Sequence, residues 1–205
     1  MTSETPLQSA PITFPARTAT TWLRSVGVVL VGSAFVAACA HVALPLYFTP
    51  VPLTLQPFAV LLLGLLLSPR LAAATLAAYL LEGAAGLPVF SPGSMSASGL
   101  AHLLGPTGGY LLAYPVAAPL ISFLWRRGSR SFPSALASAA AGNLLILSAG
   151  ALWLALITHM SAQQVLTQAV VPFFPGDALK VAAAATFAAG WNRLRLRNIS
   201  SQPNL

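Results

Sequence analysis

The stretch FAVLLLGLLLSPRLAAATLAAYLLEGAA, Phe58 to Ala85, decides how this chain is to be read. It holds two apolar runs, Phe58–Leu67 and Leu71–Ala85, joined by Ser68-Pro69-Arg70. An apolar run, a basic joint and a second apolar run describe a chain that crosses a bilayer, turns on its cytoplasmic side and returns.

The composition agrees with that reading. Of 205 residues, 57% are hydrophobic and 6% charged, and the mean hydropathy is +0.79. Soluble domains are about 25% charged, so a water-soluble fold is excluded. Intrinsic disorder, which requires low hydrophobicity, is excluded as well. The length suits one domain, and six spans of about 20 residues each would occupy most of it.

Four more apolar runs lie on either side of the first two: Trp22–Leu44 (ending at Pro45), Tyr110–Trp125, Pro133–His159 and Pro175–Trp191. The net charge of +7 comes from ten basic and three acidic residues. The arginines sit between pairs of runs: Arg17 and Arg24; Arg70; Arg126, Arg127 and Arg130; and Arg193, Arg195 and Arg197. They form no basic stripe interleaved with aromatics, so a nucleic-acid partner is excluded. The positive-inside rule then predicts an all-α integral membrane protein of six transmembrane helices, with both termini and every arginine cytoplasmic. The three outer connections hold or border His41, His102 and His159 but carry no Lys or Arg. The run Phe58–Leu67 is short for a span. It either begins within the Pro-rich stretch Pro45–Pro57 or is shielded by neighbouring helices.

Three segments follow: a flexible cytoplasmic extension over 1–21, a membrane domain over 22–192 and a basic tail over 193–205. The polar start has no apolar core followed by a small-residue cleavage site, so it does not read as a secretory signal. Cys39 is the single cysteine and lies in an apolar run, where it reads as a small buried hydrophobe and rules out disulfide frameworks. The glycosylation-like Asn198-Ile199-Ser200 falls on the expected cytoplasmic side and is discounted.

Ionisable residues at membrane depth are site candidates by default. Three qualify: Glu82, Asp177 and Lys180. Asp177 and Lys180, at i and i+3, share one helix face. Asp177 falls in the first turn after Pro175, where the helix dipole favours a carboxylate. Lys180 is the only lysine in the chain. The pair reads either as local neutralisation with a snorkelling lysine or as the polar end of an outward-facing pocket with its ammonium awaiting an anionic ligand. Glu82 reads as an interfacial carboxylate or a pocket group. Asn143, whose amide both donates and accepts, reads as a ligand contact or as a helix-to-helix bond; Gln56 and Tyr79 likewise serve binding or packing. The three histidines read as interfacial residues, and without a His-x-x-x-His pair they make a weak metal site. Ala34 and Ala38 form a small-xxx-small face that lets another helix approach closely.

This inventory excludes most enzymes. Three acidic residues cannot supply paired carboxylates for divalent metals, and there is neither a Gly-x-Ser-x-Gly elbow nor a Walker A sequence. An intramembrane serine protease built from Ser94, Ser96 or Ser98 with a histidine has no spacing in its favour.

The stretch Phe48-Thr49-Pro50-Val51-Pro52-Leu53-Thr54-Leu55-Gln56 resembles the Pro-rich first loop of the BioY family, the biotin-binding S components of energy-coupling factor (ECF) vitamin transporters. The resemblance continues through Gly64–Arg70 and Gly86–Phe90, is strongest at Leu104-Gly105-Pro106-Thr107-Gly108-Gly109-Tyr110, and ends at Pro172–Lys180 with an Asp and a Lys where the family carries them. It covers about residues 25–192.

The resemblance implies a compact six-helix bundle with no cofactor of its own. Biotin is the transported substrate, and a transmembrane coupling subunit and two cytoplasmic ATPases use the ATP. It implies Lys180 paired with the biotin carboxylate and Asp177 and Asn143 on the ureido group, or Asp177 orienting Lys180 instead. Tyr79, Gln56 and the Gly99–Tyr110 segment, including Gly109 and Tyr110, complete the wall. Ala34 and Ala38 are the expected coupling-subunit contacts. Ser94–Ser98, where a Gly-rich loop is expected, and Glu82, where an uncharged residue is usual, depart from the pattern. Another small vitamin, a solitary facilitator working without the ATPases, and a structural protein are the alternatives.

Overall fold

The computed structural model describes residues 19–92 and 99–200, and side-chain surroundings for 20–92 and 99–197. Ser94, Ser96 and Ser98, residues 1–18 and the last residues of the tail lie outside the described residues.

A helix occupies each apolar run. α1 spans Ala19–His41, and a Pro-rich excursion follows, pinned by a two-residue antiparallel pair, β1 (Ala43–Leu44) and β2 (Leu53–Thr54), with Ala43 opposite Thr54. α2 (Gln56–Leu66) begins at once, with Pro57 in its first turn. The next helix, α3 (Pro69–Ala84), starts where Ser68 accepts a hydrogen bond from the Leu71 N–H at 3.4 Å and Pro69 supplies the N-terminal turn. Beyond Gly86, whose φ of 94° favours glycine, the chain reaches a single-turn α4 (Leu100–Leu103) and then α5 (Gly108–Arg127). α6 (Phe132–Thr158) ends in a left-handed His159. The reciprocal cap of Ser161 and Gln164 opens the short α7 (Ala162–Val165), which widens over Leu166–Val170 into one turn of i→i+5 bonding, with Val171 N–H donating to Leu166 O at 2.9 Å. α8 (Phe174–Ser200) leaves that segment at a 47° bend. It runs past residue 192, so the described part of the basic tail is a continuation of the helix.

Among the described residues, α1, α5 and α6 are long and apolar enough to cross a membrane, and the bent pair ending in α8 makes a fourth candidate. α2, with 11 residues, reaches only about 16 Å at 1.5 Å per residue. It is nevertheless the most enclosed element: every residue from Ala59 to Leu65 is buried. The Pro-rich excursion makes up the missing length by folding inward, and Thr49, Val51 and Pro52 are buried with it.

Short connections set neighbouring helices antiparallel, and the basic ends collect on one side. Arg126, Arg130 and Arg195 meet beside Leu65 and Leu66, and Arg24 lies in a groove with Leu66 and Leu67. Two buried clusters fill the interior. One joins Val36, Leu76, Tyr79, Tyr110, Tyr114 and Leu154; the other, nearer the arginine end, joins Leu61, Ile121, Trp125 and Ala184. The contact between α5 and α6 depends on glycines. A Cβ at Gly109 would lie 2.6 Å from the Ala149 carbonyl, and one at Gly150 would collide with the Tyr110 ring.

Candidate functional site

Opposite the arginine end the bundle holds a cavity of about 540 Å³, counting the space open to solvent. The Pro-rich excursion contributes Val51, Pro52, Thr54 and Gln56; the outer connection gives Ser91, His102 and Thr107. Tyr110, Leu111 and Tyr114 project from α5, Ile146 and Leu147 from α6, and Phe173, Asp177 and Lys180 from α8 or the residue before it. The wall therefore combines apolar side chains with polar groups from every contributing element but α6.

The strongest polar group is an ion pair. Lys180 Nζ lies 2.9 Å from Asp177 Oδ1, and the two side chains are only 9% and 7% exposed. The other carboxylate oxygen, Oδ2, accepts from Asn143 Nδ2 at 3.3 Å, leaving Asn143 Oδ1 buried without a partner. A lysine snorkelling to water would be exposed; this one faces the cavity. Breaking a buried pair by removing one partner typically costs about 3–5 kcal/mol, so the ammonium and carboxylate hold each other in place.

Gln56 is the second polar group. Its Nε2 donates to Tyr79 Oη at 2.9 Å, and that hydroxyl donates to the Val89 carbonyl at 3.0 Å. This chain ties the start of α2 to α3 and the outer connection, and leaves the Gln56 amide oxygen to face the cavity. Tyr110 is fixed by donating to Ala169 O at 2.9 Å, a carbonyl on the widened turn before α8.

The structure thus brings Gln56, Tyr110, Asp177 and Lys180 onto one cavity wall. Asn143 stands one layer behind Asp177, and Tyr79 one layer behind Gln56. Gly109 is packed under Trp153 at the α5–α6 contact, not on the wall. Glu82 is not on the cavity wall; it is half-buried, and its Oε1 accepts from Ser33 Oγ at 2.9 Å between α1 and α3. Ala34 and Ala38 lie on the exposed face of α1, alongside Leu30 and Val31, while Ser33, Val36 and Ala40 face inward.

Two residues of the Gly99–Tyr110 segment expected to shape the wall, His102 and Thr107, line the cavity although the sequence did not single them out. His102 is not interfacial: it is 7% exposed and stacked on Phe90 at 4.9 Å, whereas His41 and His159 are exposed. Thr107 carries a buried hydroxyl oxygen with no hydrogen-bond partner in the structure, at the edge of the cavity. A buried polar atom left unpaired calls for an explanation, and a ligand in the cavity supplies one. The only available signal was the motif around Thr107. Among the described residues no group of three His, Cys, Asp or Glu side chains converges on a metal-sized site.

A sequence model of the BioY family matches residues 8–197. The chain is 41% identical over 139 residues to the probable biotin transporter BioY of Pyrococcus horikoshii, covering 68% of this chain and 79% of that one. It is 35% identical over 167 residues to the biotin transporter BioY of Thermotoga maritima, covering 82% and 92% respectively. Among solved structures, the S-component for biotin from an ECF-type ABC transporter superposes with a TM-score of 0.77 at 26% identity, covering 87% of this chain and 95% of that one.

Proposed function

The chain belongs to the BioY family, and from that membership we propose that it captures biotin from outside the cell and carries it across the cytoplasmic membrane as the S component of an ECF-type transporter. It is a multi-pass membrane protein of a transporter family, and no catalytic step is assigned to it. In this reading all six long helices cross the bilayer, α2 and α3 being the short ones sheltered by their neighbours. The arginine end is cytoplasmic by the positive-inside rule, and both termini lie there.

The observation that carries the proposal is the buried Lys180–Asp177 pair on the wall of a cavity that also presents apolar side chains and the uncharged polar groups of Gln56 and Thr107. Biotin has a carboxylate at one end, a ureido group with two N–H donors and one carbonyl at the other, and an apolar ring and chain between. Lys180 takes the carboxylate, and Asp177 holds the ammonium in place. Asn143, behind Asp177, sets the carboxylate's orientation. The ureido group then meets the Gln56 amide and the unpaired Thr107 hydroxyl, with Tyr110 and the Gly99–Tyr110 segment closing the wall. The alternative, with Asp177 and Asn143 on the ureido group, reverses the ligand.

The partners in this reading are a transmembrane coupling subunit, seated on the exposed Ala34 and Ala38 of α1, and two cytoplasmic ATPases that hydrolyse ATP. Uptake of labelled biotin by cells lacking their own biotin transporter tests it. Expression of this chain with the coupling subunit and ATPases should give uptake that stops when the ATPases are inactivated. Equal uptake by the chain alone would favour a solitary facilitator, and no biotin uptake in either case would reject the proposal.

A further inference from the structure

A second cavity, at the opposite end of the molecule, has no part in the biotin site. It measures about 500 Å³, counting the space open to solvent, and lies among the ends of α2 and α5, the α5–α6 connection and the C-terminal part of α8. Arg126, Arg130 and Arg195 all line it, together with Asn192, Trp125 and Trp191. Arginines at this end are expected from topology alone, but topology asks only that they be there, fanned into water or headgroups. Here three exposed arginines border one recess instead, which concentrates positive charge there and favours an anion among them.

Among the described residues the protein provides no such anion. The two described carboxylates are Glu82 and Asp177. Asp177 is 18 residues before Arg195 on α8, about 27 Å along the helix axis. Glu82 lies near the far end of α3 and is bonded to Ser33. The recess is also held open by local structure. Arg130 sits in a left-handed conformation, φ 51°, and its carbonyl accepts from Asn192 Nδ2 at 3.4 Å. Arg126 Nε donates to Ser122 Oγ at 3.2 Å, and that hydroxyl donates to the Leu67 carbonyl at 2.6 Å. Arg126 is thus aimed by a bonded chain running back to the end of α2, and its terminal nitrogens are left for a ligand.

We propose that this recess binds the phosphate of an anionic phospholipid headgroup. Guanidinium groups suit a phosphate because their planar donors match its oxygens, and basic pockets between the cytoplasmic ends of transmembrane helices are known lipid headgroup sites. Trp191, 57% exposed beside the recess, is the residue type that favours the headgroup level. It supplies an apolar edge along which the acyl chains of a lipid, but not a free phosphate ion, can leave the site.

Native mass spectrometry of the full chain, released from detergent with phosphatidylglycerol, phosphatidylcholine or inorganic phosphate, tests this. The wild type should retain phosphatidylglycerol in preference to phosphatidylcholine, and inorganic phosphate at millimolar concentration should neither bind stably nor displace it. Arg130→Gln or Arg195→Gln should each lower the phosphatidylglycerol-bound fraction about fivefold, with biotin binding intact as the sign of a folded chain. Arg70→Gln, at the same end but outside the recess, should leave retention unchanged. Equal retention of the two lipids by the wild type overturns the proposal whatever the variants do. So does an Arg70→Gln effect as large as that of Arg130→Gln, or displacement of the lipid by inorganic phosphate.

Discussion

Asp177 and Lys180 occupy neighbouring positions on one helix face, and each is buried because the other is. Lys180→Ala should therefore do two things at once: abolish biotin binding and lower stability by roughly 3–5 kcal/mol through the stranded carboxylate. The double variant Asp177→Asn/Lys180→Met should recover most of that stability without recovering binding, as thermal unfolding in detergent would show. Recovery of both would mean that the pair serves only packing. Thr107→Val gives a contrasting case. Removing an unpaired buried hydroxyl should leave the empty protein as stable or slightly more so, while biotin affinity drops by about tenfold, the worth of one neutral hydrogen bond. Unchanged affinity in a calorimetric titration would remove Thr107 from the site. The ionic pair was legible in the sequence because a lone lysine at membrane depth has few explanations. For Thr107 and His102 only their segment, Gly99–Tyr110, was expected on the wall, because which side chains of a connection face the cavity depends on how that connection folds over it, and periodicity carries no information about loops.

Each of the six longer helices begins within a few residues of its apolar run, but α8 continues nine residues beyond the expected end at Trp191, and the single-turn α4 and α7 lie in connections that no apolar run marked. What the runs did not reveal is why α2 is tolerable at half the length of a span: the Pro-rich excursion turns inward, paired at Ala43 and Thr54, and takes the space a longer helix would fill. The bend before α8 was equally hidden, since a widened turn has no distinct hydrophobic pattern. The α5–α6 contact makes a direct test of the packing. Gly150→Val should push the Tyr110 ring from its place against α6, costing about 1–3 kcal/mol and weakening biotin binding because Tyr110 lines the cavity. A variant with wild-type melting temperature and affinity would contradict the described packing. On α1, Ala34→Leu and Ala38→Leu point away from the bundle, so biotin binding should be retained while uptake with the coupling subunit is lost. Loss of binding in the isolated chain would assign those alanines to the fold instead.

The molecule as a whole is polarised: a cavity with an ion pair at one end, the arginine-bearing helix ends at the other. The arginine clusters made this polarity readable before any coordinates, because charge at helix ends is set by topology. The position of the site within it was readable from the α8 pair and from Gln56 and Tyr110, all four of which line the cavity, while Asn143 and Tyr79 stand behind the wall and Gly109 lies at the α5–α6 contact. A fluorescent protein fused after Leu205 should fold and fluoresce inside the cell, and alkaline phosphatase fused within residues 93–98 should be active outside; the reverse pattern would invert the proposed orientation. The central claim is that Lys180 holds the carboxylate of biotin, and the most direct measurement is a calorimetric cycle on the purified chain. Biotin and its methyl ester would each be titrated into the wild type and into Lys180→Met. The account predicts tight biotin binding by the wild type, a loss of at least about tenfold for the ester, and no discrimination between the two ligands in the variant. Discrimination that persists undiminished in Lys180→Met would contradict it and turn the ligand end for end in the cavity.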